Sequence, residues 1–212
     1  MKRRAYLLLA VVAILLAVSI IHSVGRIAAS VDPNNLLARG HAYYDANDLE
    51  RAVSSYKEAI RLDPACTYAY DWLSQCYRDM GRHAESLDTW RQARTNLPEW
   101  GWARVRLAFD YDELGMYEQA IAEWKQLIER EPDIAGLNAL LADVYLKTSQ
   151  YEEAIAACKN ALRLKPDHPK SHYNLGRAYL QMGNKDLVLQ EYEVLNGLDK
   201  GLADELLACV NR

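Results

Sequence analysis

Glycine-rich phosphate loops are missing from this sequence, because none of its ten glycines falls in a GxGxxG or GxxxxGK pattern. The chain also has no HExxH motif, which would place two histidines and a glutamate around a zinc ion. No Ser, His and Asp arrangement for nucleophilic catalysis can be assigned from the sequence either. We therefore predict that the chain is not an enzyme and that it holds no cofactor.

Two groups of candidate metal ligands remain, and neither has suitable spacing. His168 and His172 are four residues apart, but a proline lies between them, so we expect them to have capping or surface roles. Asp110, Asp112 and Glu113 lack the correctly placed glycine of a calcium-binding loop. We expect these three acids to form a solvated helix face, and no metal site is predicted.

The four cysteines form no CxxC pair and no CxxCH haem-attachment motif. They are Cys66, Cys76, Cys158 and Cys209. Two interpretations remain open for them. Buried cysteines often serve as small apolar side chains, whereas an even number in an oxidising compartment also permits disulfides.

Clusters of basic residues and low-complexity linkers are also absent. The net charge is −4, and Lys and Arg are scattered along the chain. A nucleic-acid-binding protein depends on a basic patch for its affinity, so no nucleic acid partner is predicted. The composition after the amino-terminal segment is that of one soluble domain.

Residues 5–25 contain no Lys, Arg, Asp or Glu, and this twenty-one-residue stretch is rich in Leu, Ala, Val and Ile. As a helix it would span roughly 30 Å, the thickness of the hydrocarbon core of a bilayer. A cleaved secretory signal usually has a shorter apolar region, followed by a small-x-small cleavage site. The apolar region here is longer, and no nearby site fits the cleavage pattern well. We predict an uncleaved transmembrane anchor, with a cleaved signal as the alternative.

The charges around this stretch predict its orientation. Three basic residues precede it within residues 1–4, whereas only Arg26 and His22 lie at its far end. The positive-inside rule then places the amino terminus in the cytoplasm. The chain after a short linker at residues 26–32 is expected on the other side of the membrane, which is the periplasmic side in a bacterium.

The rest of the chain repeats every 34 residues. The recurring positions hold a boundary proline, a tyrosine, two kinds of small residue and a large residue. They are Pro64, Pro98, Pro132 and Pro166; Tyr43, Tyr77, Tyr111, Tyr145 and Tyr179; Gly40, Ser74, Ala108, Ala142 and Gly176; Ala52, Ser86, Ala120, Ala154 and Val188; and Tyr56, Trp90, Trp124 and Tyr192, with Cys158 in place of the large residue in the fourth unit. Each unit contains two apolar periodicities near 3.6, which predict a pair of helices. The turn between them falls at Asn47, Gly81, Gly115, Ser149 and Gly183.

These positions resemble the W-x2-L-G-x2-Y, A-x3-F and P signature of the tetratricopeptide repeat family. The resemblance covers residues 33–202 in five repeats, 33–66, 67–100, 101–134, 135–168 and 169–202. It implies a right-handed α-solenoid of five helix-turn-helix units, so the predicted fold is an all-α protein in which the single N-terminal transmembrane helix precedes this solenoid. Residues 203–212 are predicted to form a capping helix with a polar outer face.

The resemblance also implies that the first helix of each unit lines a concave groove that binds a partner. The candidate binding residues are Tyr44, Tyr68, Asp71, Gln75, Arg78, Trp102, Val105, Phe109, Asp112, Asp143, Lys170, Tyr173 and Arg177. Trp102 and Phe109 share one helical face, where they could anchor an apolar side chain or pack against the next repeat. Some cytosolic family members clamp a chaperone's carboxyl terminus with Lys and Asn, but here Leu37, His41 and Trp72 occupy the relevant positions.

The repeats, the predicted single span and the missing catalytic motifs together predict a membrane-anchored, non-catalytic scaffold or adaptor. It would bind a protein segment in its groove during assembly or stabilisation of a cell-envelope complex. A first alternative is an accessory structural subunit that is permanently built into a larger membrane complex. A second alternative is a secreted soluble protein whose signal has been removed.

Overall fold

The computed structural model describes residues 32–210, and this part of the chain is helical apart from short turns. Eleven helices lie within these residues, numbered α1 to α11 in chain order. The chain divides after Leu97 into two compact units. The predicted anchor at residues 5–25 lies outside the described residues. None of the helices within 32–210 is both long enough and apolar enough to cross a membrane.

The first unit contains four helices: α1 Pro33–Asp45, α2 Leu49–Leu62, α3 Thr67–Asp79 and α4 His83–Asn96. Helices α1 and α2 form one hairpin, and α3 and α4 form the next. Helix α3 also packs against both helices of the first hairpin. The two hairpins are therefore stacked in chain order.

The second unit contains seven helices: α5 Gly101–Glu113, α6 Tyr117–Arg130, α7 Ala135–Lys147, α8 Tyr151–Leu164, α9 Pro169–Gln181, α10 Lys185–Leu198 and α11 Lys200–Val210. The first six form three hairpins stacked in chain order, and α11 packs on α9 and α10. Within the described residues the chain is thus five helical hairpins followed by one further helix. This confirms the predicted all-α architecture of helix-turn-helix units.

The last helix begins earlier than the sequence indicated. The predicted cap started at residue 203, whereas α11 starts at Lys200, inside the predicted fifth repeat. The carboxylate of Asp199 accepts a hydrogen bond from the backbone N–H of Leu202 at 3.1 Å. Asp199 therefore caps the helix at its amino-terminal end, directly after α10 has ended at Leu198.

A residue in the left-handed conformation lies in the turn of every hairpin. The φ angle is 58° at Asn47 and Ser149, 70° at Gly81 and Gly115, and 74° at Gly183. These are the five turn positions expected from the sequence. Glycine and asparagine adopt positive φ at little cost, so they end the first helix and redirect the chain into the second.

The recurring small and large residues form the core between the helices. Of the small residues, Ala52, Ser86, Ala120, Ala154 and Val188 are all 0% exposed. Of the large residues, Tyr56, Trp90 and Trp124 are at most 1% exposed, and Cys158, which replaces the large residue in the fourth unit, is 0% exposed. The small side chains let paired helices approach, and the large ones fill the space beside them. The 34-residue pattern is therefore a pattern of core packing.

The cysteines are free thiols, and the disulfide interpretation does not hold for this structure. Cys76 and Cys158 are 0% exposed, as expected for small apolar side chains. Burial, together with the nearby Asp79 carboxylate, raises the pKa of the Cys76 thiol to about 11. Burial and the Glu191 carboxylate raise the pKa of Cys158 to about 12.

We expect two of the four thiols to be protected from alkylation in the folded protein. Maleimide at neutral pH should label the half-buried Cys66 and Cys209, while Cys76 and Cys158 react only after denaturation. The reason is that buried, protonated thiols are poor nucleophiles. Mass spectrometry of labelled peptides with and without urea checks this. Rapid labelling of Cys158 in the native chain would contradict the packing described above.

Two glycines in comparable helices should respond in opposite ways to alanine. A Cβ atom at Gly40 would lie 2.5 Å from Cε1 of the buried Tyr56, whereas nothing lies within 4 Å of one at Gly136. Gly40→Ala should lower the free energy of unfolding by about 1–3 kcal/mol because α1 must move away from α2. Gly136→Ala should leave it unchanged or raise it by up to about 1 kcal/mol. Urea titrations measure both, and equal stability of the two variants would refute the close approach.

Candidate functional site

In the first unit, α1 and α3 are joined side by side through the carboxylate of Asp79. The hydroxyl of Tyr44 on α1 donates a hydrogen bond to Oδ2 of Asp79 on α3 at 2.6 Å. Nε2 of Gln75 donates to Oδ1 of the same carboxylate at 2.7 Å. The hydrogen bond to Asp79 raises the pKa of Tyr44 to about 12, and partial burial adds to the shift. The two predicted site residues Tyr44 and Gln75 thus lie on one continuous face.

An aromatic cluster lies beside this carboxylate. The Trp72 ring meets the His41 ring edge to face, with centroids 4.8 Å apart, and the Tyr44 ring in the same manner at 5.1 Å. The hydroxyl of the buried Tyr56 on α2 lies 3.0 Å from Nδ1 of His41. Edge-to-face pairs of this kind stabilise beyond the area they bury. The cluster therefore holds Trp72 in a defined orientation.

The remaining predicted residues of the first unit flank this cluster. Tyr68 is 70% exposed and lies one helical turn before Trp72 on α3. Asp71 and Arg78 are half-buried on the same helix. The structure thus brings Tyr44, Tyr68 and Gln75 onto the surface that Trp72 and Asp79 complete.

In the second unit, the predicted acidic residues are paired with cations of the next first helix. Lys147 Nζ of α7 lies 2.5 Å from Oδ2 of Asp112 on α5. Asp143 on α7 lies between two cations of α9, with Lys170 Nζ at 3.2 Å and Arg177 at 3.1 Å. These ion pairs join successive first helices, so they are contacts between repeats as well as surface groups.

The predicted residues of α9 form a stacked row. Lys170 Nζ lies 5.8 Å and the Arg177 guanidinium 5.6 Å from the centroid of the Tyr173 ring. Cations over tyrosine faces are attracted by the ring quadrupole. A cavity of about 330 Å³ lies next to Arg177, lined also by Leu146, Tyr151, Leu180, Gln181 and Cys209. This part of the second unit is a basic surface beside a small cavity.

The two aromatic residues of α5 have different environments. Trp102 is 48% exposed, with the Arg106 guanidinium 6.0 Å from its ring centroid. Phe109 is half-buried and packs edge to face on Trp124 of α6 at 5.1 Å. Val105 is half-buried on the same helix. Of the two proposed anchors, Trp102 presents its ring to solvent, whereas Phe109 contributes to packing within its own hairpin.

Two expectations about polar residues need correction. Asp110 is 4% exposed and Asp112 is held by Lys147, so neither belongs to a solvated face, whereas Glu113 is exposed as expected. His172 is 9% exposed rather than on the surface, and its two ring nitrogens lie 2.7 Å from Glu191 Oε2 and 2.9 Å from a backbone carbonyl. His168 does occupy the capping position of α9. No group of side chains within residues 32–210 is arranged to hold a metal ion.

Sequence reasoning missed three residues of these surfaces: Trp72, Asp79 and Lys147. The signal that could have found them is the offset between partners. Tyr44 with Asp79 and Asp112 with Lys147 are each 35 residues apart, and Asp143 with Arg177 are 34 apart. Because stacked repeats place equivalent helices side by side, residues one repeat apart are neighbours. A search for complementary side chains at that offset predicts such pairs.

Comparison with known families agrees with this architecture. Three models described as TPR repeat or tetratricopeptide repeat match residues 37–99, 102–133 and 142–183. Together they cover more than half of the chain. The chain is a member of the tetratricopeptide repeat family, whose stacked helical hairpins are scaffolds for protein-protein interaction.

Several solved structures share this fold at low sequence identity. YrrB, described as a TPR protein with an unusual peptide-binding site, has a TM-score of 0.66 and 19% identity over 86% of this chain and 95% of its own. A MamA protein has a TM-score of 0.67 and 18% identity over 83% of this chain and 96% of its own. MamA from Desulfovibrio magneticus RS-1 has a TM-score of 0.66 and 16% identity over 80% and 96%, respectively. No curated protein matches the chain.

The pairing between repeats can be measured with a double-mutant cycle. Asp112→Asn, Lys147→Met and the double variant should give a coupling of about 1 kcal/mol in the free energy of unfolding, because the Asp112 side chain is only 17% exposed. The control cycle uses Asp88 and Arg91, an exposed pair within α4, where a coupling of a few tenths of a kcal/mol, roughly, is expected. Equal coupling in the two cycles would mean that the Asp112 pair does not join the repeats.

Proposed function

We propose that this chain is a membrane-anchored, non-catalytic scaffold that binds a segment of another protein through the first helices of its repeats. The observation that supports this most directly is the exposure of large aromatic side chains on those helices. Tyr68 on α3 is 70% exposed and Trp102 on α5 is 48% exposed, although both lie on helices that pack in hairpins. Aromatic side chains of this size are frequent anchors in protein interfaces.

The chemistry of these helices supports recognition of a peptide or helical segment rather than a small molecule. The first helices carry rows of aromatic, acidic and basic side chains, whose members are the thirteen residues predicted from the sequence. Side chains held by hydrogen bonds and ring contacts lose little conformational entropy on binding. YrrB, which has a peptide-binding site, shares the fold of this chain, and this shared fold is compatible with a peptide ligand.

The membrane part of the proposal rests on the sequence. Residues 5–25 have the length and apolar composition of a single span, and the basic residues before them favour a cytoplasmic amino terminus. The repeats would then lie on the extracytoplasmic side, close to the membrane surface. A scaffold in that place suits the assembly or stabilisation of a cell-envelope complex.

Affinity purification of the full-length chain in mild detergent tests this function. Mass spectrometry should identify co-purifying protein and an amino terminus that retains residues 5–25. Trp102→Ala should reduce the recovered partner about tenfold or more if Trp102 is an anchor. Val194→Ala is the matched control. Val194 has a similar exposure, 43%, but lies on α10, which is the second helix of its hairpin.

Other outcomes of this purification would change the proposal. A fixed stoichiometric membrane complex that survives every surface substitution would favour the accessory structural subunit. A chain that begins after the apolar stretch would show that the stretch is a cleaved signal. Recovery of the chain without any protein partner, from membranes and from the soluble fraction, would contradict the scaffold function itself.

A further inference from the structure

One stripe of α3 differs in charge from the corresponding surfaces of the second unit. Tyr68, Trp72, Gln75 and Asp79 are spaced by four, three and four residues, so they lie along one face of the helix. We call these four residues the α3 stripe. His41 and Tyr44 of α1 border it through their contacts with Trp72.

The carboxylate of the α3 stripe has only neutral partners. Asp79 accepts hydrogen bonds from the Tyr44 hydroxyl and from the Gln75 amide, and no Lys or Arg within the described residues is paired with it. In the second unit, by contrast, Asp112 is paired with Lys147, and Asp143 with both Lys170 and Arg177. Asp79 therefore retains an uncompensated negative charge at the protein surface.

Helix ends add to this negative potential. Asp79 is the last residue of α3, whose last turn also contains Arg78, and Asp45 is the last residue of α1, which has no basic residue in its last turn. The carboxyl end of a helix carries the negative end of its dipole and normally favours a cation. The end of α1, with Asp45 and no basic residue, therefore adds to the negative potential beside Asp79 and favours a positive charge there.

The aromatic rings of the stripe are also available to a cation. Elsewhere in the same unit, a cation already lies near each of two tyrosine rings. The Arg51 guanidinium lies 5.7 Å from the Tyr43 ring centroid, and that of Arg82 lies 5.0 Å from the Tyr77 ring centroid. Among the described residues no Lys or Arg occupies the rings of Tyr44, Tyr68 or Trp72. Tryptophan is the best of the aromatic side chains for this interaction.

We propose that the α3 stripe binds an arginine side chain of an extended, basic partner segment. The guanidinium lies against the rings of Trp72 and Tyr68, with its positive charge next to Asp79. Arginine suits the site better than lysine because its planar group stacks on aromatic rings and donates several hydrogen bonds at once. This inference rests on the proposed function and names the chemistry of the partner at one of its faces.

Binding of a defined peptide probe to the full-length chain in mild detergent tests the proposal. The probe is a fluorescein-labelled peptide of alternating arginine and alanine, and the comparison peptide has citrulline in place of arginine, which keeps the shape and removes the charge. Fluorescence anisotropy should show tighter binding of the arginine peptide by about 3- to 30-fold. Its affinity should fall with rising salt.

Substitutions locate the binding on the α3 stripe. Asp79→Asn should weaken binding of the arginine peptide about 2- to 5-fold and Trp72→Leu about 3- to 30-fold. Tyr68→Ala is a second aromatic variant that leaves the fold intact, because this side chain is 70% exposed. Asp88→Asn removes an exposed carboxylate from α4 and should have no effect.

Equal affinity for the arginine and citrulline peptides would overturn the proposal. So would a loss of binding in Asp88→Asn that equals the loss in Asp79→Asn, because the attraction would then be one of net charge alone. Either of these two results would contradict the arginine site but not the scaffold function, provided that the purified chain still retains its protein partner. Absence of any partner in that purification would instead remove the scaffold function, whatever the peptide does.

Discussion

A single helical hairpin cannot bury its apolar face, and the structure depends on the stacking that removes this face from water. Each hairpin supplies small residues where helices touch and large residues where they separate. Ala52, Ser86 and their equivalents are completely buried for this reason, as are Tyr56 and Trp90. The left-handed residue in each turn then allows both helices of a pair to contribute to the same layer.

Polar contacts between equivalent helices form a second layer of organisation. In the second unit they are ion pairs, which nearly neutralise the acidic residues of the first helices. In the first unit the contact between repeats is instead the hydrogen bond from Tyr44 to Asp79, and Gln75 of the same helix as Asp79 donates a second hydrogen bond to this carboxylate. The contact between repeats is preserved in both cases, but the charge left at the surface differs. The stacking geometry thus sets the positions, and the choice of partner side chains sets what each surface can bind.

The candidate site was only partly predictable. The thirteen residues came from the expected inward positions of the first helices, and the structure joins Tyr44, Asp112, Asp143 and Arg177 to the neighbouring first helix of the same unit. Trp72 and Asp79 were not in that set, because a rule based on position within one helix ignores which side chains the neighbouring helix offers. Asp110 and His172 were expected near solvent and are buried for the same reason.

The sequence by itself determined the all-α class, the 34-residue helical hairpins, their turns and the identity of the packed positions. These follow from local propensity and from a periodicity that every repeat shares. Only the tertiary structure decided which polar side chains meet, which cysteines are enclosed and which aromatic rings remain exposed. Those properties depend on contacts between residues about one repeat apart. Such contacts exist only after the helices have stacked, and they differ from one hairpin to the next even though the repeat is the same.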